Sequence, residues 1–477
     1  MVSTRQGAAG AEDRPSRRRR SHRALTATAL VLVLTAPLPA LAETLQGALV
    51  RAYQANPVLN AERARQRGTD ENVSIALSGY RPQIAAGLSP SLIALRDLLP
   101  GGDTERATLR GYTAQLTITQ VLFNGFRTGN QVRQAEAQVL SGREALRGVE
   151  QSVLLDAVTA YMNVVANQSL VEAQRVNVTF LRETLGTTRK RLDAGDVTPT
   201  DVAQAEARLA RGNADLNAAE VSLAISQATY EQVVGTPPGR LANAEPIDRL
   251  LPRSRDESVA RARRDNPAVT GATYDIDVAQ YAIKIAEGSL YPTLTAQAGL
   301  QRDRNTDTTL GSKGTDQAFL VGRLDVPIYD GGQAAAQVRQ SKEVMTQARM
   351  VLDRVRTQTN TAAVAAWVTH EGAKVALSAA EAEVRAATLA LEGVQREAQA
   401  GQRTTLEVLN SQQDLTLARS RLILAQRDRV VASYTLLSTI GRLDHKSLGL
   451  GTSSYEPQVH YQQVRDAWHG LRTPDGK

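Results

Sequence analysis

Residues Ala400-Gly401-Gln402-Arg403-Thr404-Thr405-Leu406-Glu407-Val408 repeat the pattern of Ala194-Gly195-Asp196-Val197-Thr198-Pro199-Thr200-Asp201-Val202, which stands 206 positions earlier. In each copy a glycine able to take positive φ ends a helix. A threonine follows with an acid three residues on, Thr198 with Asp201 and Thr404 with Glu407, the signature of a capping box at the start of a new helix. Pro199, just inside that helix, has no N–H to leave unsatisfied there. Each stretch therefore joins two helices and reverses the chain. A chain carrying two such turns at a fixed spacing is expected to be a duplicated unit built on two helical hairpins.

The duplication extends well beyond the turns. Asn56-Pro57 returns as Asn266-Pro267, and Pro82 as Pro292, at an offset of 210. From Asn124-Gly125 against Asp330-Gly331 onward the offset is 206, through Gln131-Val132-Arg133-Gln134 against Gln337-Val338-Arg339-Gln340 to Gly235 against Gly441. The change of four marks a loop of variable length between the prolines and the Asn/Asp-Gly turn. Each repeat opens with two short predicted helices, 44–55 and 57–79 in the first, 256–265 and 267–288 in the second.

The period then changes to two. Tyr112, Ala114, Leu116 and Ile118 alternate with Thr113, Gln115, Thr117 and Thr119; Leu294, Ala296, Ala298 and Leu300 do the same, as do Leu320, Gly322, Leu324, Val326 and Ile328. With 83–95, this predicts two strands per repeat, each with one apolar and one polar face. Polar loops are expected at 98–105 and 305–314. Beyond the strands, proline is absent between Pro100 and Pro199 and between Pro327 and Pro457, which predicts long helices. Residues 125–192 would make a rod of about 100 Å, whereas 198–234 would reach only about 55 Å. A third helix, 57–79, stacked end to end on the shorter one would make up the difference.

Composition matters at three points. With 42% hydrophobic but only 4% aromatic residues, the core must be built largely from Ala, Val and Leu, which suits closely packed helices. The absence of cysteine excludes disulfides and thiolate metal sites. The net charge of +7 does not imply a nucleic-acid partner, because residues 1–42 hold seven arginines and two acids and so supply most of it. That segment has the basic run 17–20, an apolar stretch 24–34 and Ala40-Leu41-Ala42, which together predict a secretory signal cleaved before Glu43. No later segment approaches the roughly 20 apolar residues of a spanning helix. The expected organisation is a signal peptide (1–42), a first repeat (43–235), a crossover (236–253), a second repeat (254–441) and a periplasmic tail (442–477).

Four amphipathic strands cannot close a transmembrane barrel, which takes about eight in a single chain. An open sheet would leave unpaired edges in lipid. Several copies must therefore share one barrel, with the helices continuing as a tube of coiled coil; a dimer and a trimer both satisfy this. Taken together, the repeat, the Gly-x-x-Thr-x-x-Asp/Glu-Val turns, the Asn/Asp-Gly helix starts and the Tyr-Pro strand entry resemble the TolC family of outer-membrane efflux and secretion channels. The resemblance covers about residues 44–443.

The resemblance implies an α+β, mostly α fold. In it a homotrimer forms a twelve-stranded barrel in the outer membrane and a periplasmic α-helical tunnel ending in an iris. It also implies a periplasmic adaptor that docks at the Gly195 and Gly401 turns, and an inner-membrane transporter that is ABC-type or proton-driven. The function it implies is a passive exit duct, with type I protein secretion favoured, multidrug efflux as the alternative, and a periplasmic coiled-coil scaffold without a pore as the rival from another class. By the same resemblance Arg403 links to Asp201 beside Thr200 and, with Glu407, holds the tunnel mouth shut. This chain departs from the family at two positions. Ala398 stands where some members carry a tyrosine that adds a closing hydrogen bond, and Asn410 stands where the family has a second constricting acid.

Glu407, Asn410 and Asp414 share one helical stripe, so Asn410 and Asp414 are candidate pore-lining residues. On that reading the mouth carries two carboxylate rings separated by a neutral amide ring. No enzymatic motif or cofactor site is expected: His370-Glu371 lacks the second histidine of a zinc helix, and His445, His460 and His469 have no acids or cysteines at metal spacing. Trp367 and Trp468 read as packing or interface residues rather than substrate platforms.

Overall fold

The computed structural model describes residues 42–98, 100–102, 104–305, 314–474 and 476. The signal segment read in the sequence lies outside them except for Ala42, as do parts of the two polar loops. In chain order the elements are α1 (Leu45–Ala55), α2 (Pro57–Leu77), β1 (Gln83–Leu98), β2 (Thr104–Asn124), α3 (Arg127–Asp193), α4 (Pro199–Val234), α5 (Arg255–Asp265), α6 (Pro267–Gly288), β3 (Thr293–Asn305), β4 (Gly314–Asp325), α7 (Gln333–Gln399), α8 (Thr405–Thr439) and α9 (Pro457–Val464). The order helix, helix, strand, strand, long helix, returning helix therefore occurs twice.

The long helices α3 and α7 each run for 67 residues, about 100 Å at 1.5 Å per residue. Each is covered by two shorter helices laid end to end. Asn56 makes the joint in the first repeat. Its Oδ1 accepts from the N–H groups of Val58 (2.9 Å) and Leu59 (3.3 Å), capping α2, while its Nδ2 donates to the Val233 carbonyl (2.9 Å) in the last turn of α4. Asn266 makes the same joint in the second repeat, accepting from Ala268 (2.9 Å) and donating to the Thr439 carbonyl (2.9 Å). At Gly441, which follows α8 with φ 80°, a Cβ would stand 2.2 Å from the Asp265 carbonyl, so only glycine lets α8 end against α5. The largest buried cluster lies near these joints and joins α1, α3, α4 and α8 through Leu49, Leu154, Tyr161, Tyr230, Leu437 and Ile440.

The four strands form one antiparallel sheet in the order β1-β2-β3-β4. Two hairpins, one from each repeat, are joined by the pairing of β2 with β3. The register sets Ile84, Ile118, Ala298 and Leu320 side by side on one face, with Ala86, Leu116, Leu300 and Ala318 in the next row. The opposite face carries Gln115, Gln301 and Gln317, and Thr113 donating to Asp303 (2.6 Å). On the apolar face Ile84, Leu88, Leu116 and Leu320 are exposed to between 43% and 81% in the single chain. Among the described residues, β1 and β4 each pair with one strand and leave an edge open.

Two sequence expectations are corrected. Strand β4 ends at Asp325, so Val326 and Ile328 lie beyond it; Pro327 has no N–H to continue the ladder. Helix α2 stops at Leu77 and the chain leaves through the 3₁₀ turn Ser78–Tyr80.

The tail also carries chemistry that residue spacing did not reveal. His445 Nδ1 lies 2.8 Å from Glu150 of α3, and His460 Nδ1 lies 3.0 Å from the fully buried Asp70 of α2. Tyr455 N–H donates to the Tyr53 hydroxyl (3.0 Å), and the Ala467 carbonyl accepts from Ser74 (2.6 Å). The tail is thus strapped across α1, α2 and α3. Each of these two histidines meets one carboxylate. Trp367 packs against the main core, while Trp468 is 73% exposed.

Candidate channel mouth

The two repeated turns close the α3–α4 and α7–α8 hairpins with the same backbone. Gly195 and Gly401 have φ 83° and 77°. Around the first, Gly195 N–H donates to the Leu192 carbonyl (3.0 Å) and Asp196 N–H to the Arg191 carbonyl (2.8 Å). Around the second, Gly401 donates to Ala398 (3.2 Å) and Gln402 to Glu397 (2.9 Å). This paired pattern is the Schellman motif, which satisfies the last carbonyls of α3 and α7.

The capping boxes follow at once. Asp201 Oδ2 accepts from the Thr198 N–H (2.9 Å) and hydroxyl (2.8 Å). Glu407 Oε2 accepts from the Thr404 N–H (2.8 Å) and hydroxyl (3.1 Å). These bonds favour the ionised acids. The Thr198 N–H and then its hydroxyl hold the Asp201 carboxyl below its ordinary range, with Arg191 adding to the effect. The Thr404 N–H and then Arg403 do the same for Glu407. Thr200, in the first turn of α4, is exposed.

Arg403 bridges its own hairpin: Nε lies 2.8 Å from Glu397 at the end of α7, and Nη1 lies 2.7 Å from Glu407 at the start of α8. Hydrogen bonds to these two acids raise its pKa further. Within one chain, then, Arg403 meets Glu407 and Glu397 and not Asp201. Glu397 went unrecognised in the sequence because its role depends on where the turn brings the end of α7.

One helical turn further along, Asn410 Oδ1 accepts from Arg208 Nη2 of α4 (2.7 Å), and Arg208 Nη1 also donates to Gln413. The sequence offered one signal for Arg208. It stands 206 positions before Asp414, so the repeat sets the two at equivalent places. Asp414 is exposed on the stripe shared with Asn410. Behind that stripe α8 lies against α3 through a buried polar layer, in which Asn177 Oδ1 accepts from Gln412 Nε2 (3.1 Å) and from the Thr416 hydroxyl (3.2 Å).

This arrangement has no groups set for bond-making. It offers two glycine turns, two helix-start carboxylates and polar side chains on one stripe of α8. The profile of the outer membrane efflux protein family matches residues 48–236 and 259–442, one stretch in each repeat. The chain belongs to the outer membrane efflux protein family. It is 43% identical over 440 residues to outer membrane efflux protein BepC of Brucella suis, an alignment covering 92% of this chain and 94% of that protein. It is 25% identical over 393 residues to alkaline protease secretion protein AprF of Pseudomonas aeruginosa, covering 79% and 81%. The fold matches the crystal structure of the Campylobacter jejuni CmeC outer membrane channel with a TM-score of 0.74 at 14% identity, over 88% of this chain and 89% of that one.

The efflux-family chain is accordingly an outer-membrane channel with a large periplasmic helical part, in a family of transport ducts. Among the described residues no helix is long and apolar enough to cross a membrane.

Proposed function

We propose that the chain is the passive exit duct of a tripartite export assembly: a homotrimer whose shared barrel opens outward and whose helical tunnel receives cargo from an inner-membrane transporter through a periplasmic adaptor. The observation that carries this reading is the sheet, with one apolar face, one polar face and two free edges. In lipid those edges need partners, and a further copy of the chain has the matching strands. The adaptor would meet the Gly195 and Gly401 turns at the far end. The mouth would be held shut by Arg403 reaching the Asp201 of a neighbouring copy beside Thr200. Asp201 and Glu407 are repeat equivalents, so a threefold assembly whose axis also relates the two repeats sets their carboxylates at one height around it.

On cargo, the resemblance read from the sequence favours type I protein secretion. The 43% relative is named an efflux protein, which favours small-molecule efflux, and that is the reading adopted. The secretion reading keeps the support of the 25% relative named for alkaline protease secretion.

Two measurements separate these readings. Cell fractionation should find a heat-modifiable trimer in the outer membrane, whereas a soluble periplasmic rod would end the channel reading. A deletion strain should become several-fold more sensitive to drugs and detergents with its secreted proteins unchanged. Loss of a supernatant protein at unchanged drug sensitivity would return the cargo to protein secretion.

A further inference from the structure

Beyond α8 the tail climbs toward the strands. His460 of α9 lies 3.0 Å from Asp70 of α2. The Tyr461 ring takes the Arg143 guanidinium of α3 at 5.2 Å, and Arg465 lies 3.5 Å from Glu136, about two turns nearer the start of α3. The Ala467 carbonyl then accepts from Ser74 in the last turn of α2 (2.6 Å) and from Arg81 (3.3 Å), just before β1. Each step along the tail thus meets α2 later and α3 earlier. Both directions lead to the sheet, because α2 runs into β1 and β2 runs into α3. Trp468, the next residue, is carried to the level at which helices give way to strands.

That level is where the chain keeps its exposed aromatic side chains. Among the described residues, Tyr80, Phe126, Tyr291 and Tyr329 stand at the four helix–strand junctions and are exposed to between 52% and 87%. The other exposed aromatics are Tyr112 within β2 and Trp468 itself. Tryptophan and tyrosine collect where a membrane meets water, because a ring with one polar edge suits the headgroup layer. The apolar face of the sheet begins just beyond Arg81, at Ile84. The chain between them spans at most about 10 Å, and the headgroup layer of one leaflet is about 5–8 Å deep. With Ile84 in hydrocarbon, Arg81 and the Ala467 carbonyl bound to it therefore lie at the depth of the headgroups. Leu471, close behind Trp468, is fully exposed, and the exposed Arg472 brings a guanidinium that suits lipid phosphate.

We propose that the end of the tail seats in the lipid leaflet around the base of the barrel, with Trp468 and Leu471 among the upper parts of the acyl chains and Arg472 at the phosphates. This rests on the shared barrel proposed above and adds a second, peripheral contact with the same membrane. Lipid is the occupant because the tail is fixed at the margin where the apolar face of the sheet gives way to water. The tail is also fastened from below, by His445 on Glu150 and His460 on Asp70. A membrane contact at its far end then braces α2 and α3 against the leaflet instead of trailing on a loose terminus.

The chain has two tryptophans, and Trp367 lies about 50 Å down α7 from the sheet, out of reach of lipid. Purified full-length protein is reconstituted into phosphatidylcholine vesicles whose acyl chains carry bromine, a short-range quencher, either near the headgroup or near the chain end. Bromine near the headgroup is expected to quench most of the emission from Trp468, and bromine near the chain end less of it. Trp468→Phe should remove the quenching and leave conductance unchanged. Inserted, conducting channels in which the wild type and Trp468→Phe are quenched equally overturn the seat while leaving the barrel intact, whether Trp468 then faces water or a neighbouring copy. Protein that neither inserts nor conducts overturns both.

Discussion

Capping accounts for Asp201 and Glu407 without any reference to a gate, since an acid in the first turn satisfies free N–H groups and faces the positive end of the helix. Arg403 needs another explanation, because a cation beside a helix start is unfavourable by the same argument. In the chain it is held by Glu397 and Glu407, so it ties the end of α7 to the start of α8. Replacing it removes that brace and, in a trimer, the donor proposed to reach the neighbour's Asp201. Arg403→Ser is therefore expected to raise single-channel conductance in planar bilayers, and an unchanged conductance would confine Arg403 to its own turn. Acid should act in the same direction. The folded-state pKa values of Asp201 and Glu407 are depressed, so their contribution is complete above the ordinary carboxylate values, about 3.9 and 4.3, and is lost as pH falls through the lower folded values. The wild-type channel should thus open further only below about pH 4.

At the scale of elements, the shorter helices reach the length of the long ones only because Asn56 and Asn266 splice them. Each asparagine uses its oxygen as a cap and its nitrogen to satisfy a carbonyl at the end of the returning helix of its own repeat. Asn56 is 5% exposed, so water cannot readily replace either bond. Asn56→Ala should cost about 1–2 kcal/mol for the cap alone. Asn56→Asp separates the two roles, since it keeps a good cap but turns a carboxylate oxygen toward the Val233 carbonyl. We expect Asn56→Asp to lower the temperature at which the oligomer dissociates at least as much as Asn56→Ala does. If Asn56→Asp behaved like the wild type, the splice would add nothing beyond the cap. The strand-to-helix turn shows how far the repeats can diverge. Gly331-Gly332 in the second repeat is Gly125-Phe126 in the first, with Phe126 at φ 60°. Gly125 cannot change, because a Cβ there would stand 2.2 Å from the Gly288 carbonyl.

For the whole molecule, the repeat changes the expected charge of the mouth. The sequence stripe through Glu407, Asn410 and Asp414 suggested two carboxylate rings, but Arg208 is the repeat equivalent of Asp414. On the proposed threefold assembly, with its axis also relating the two repeats, the two would alternate at one height, three arginines with three aspartates. Such a ring would carry no net charge and would leave cation preference to Asp201 and Glu407. Asp414→Asn is then expected to shift the reversal potential in a salt gradient toward anions, and Arg208→Gln toward cations. Equal reversal potentials for both variants and the wild type would remove this pair from the pore.

Much of this was legible in the sequence, because the governing physics is local. A glycine at positive φ, a threonine with an acid three residues on, and apolar side chains alternating with polar ones act over a few neighbouring residues, and they gave the hairpins, the strands and their faces. The duplication then gave the order of elements without any knowledge of contacts. Tertiary structure decided what lies across from what. Arg208 reaches Asn410 from 202 positions away, His445 finds Glu150 from 295 and His460 finds Asp70 from 390. Those partners depend on how one helix is rotated and raised against another. Many packed side chains set that rotation together, and no short pattern in the chain records it.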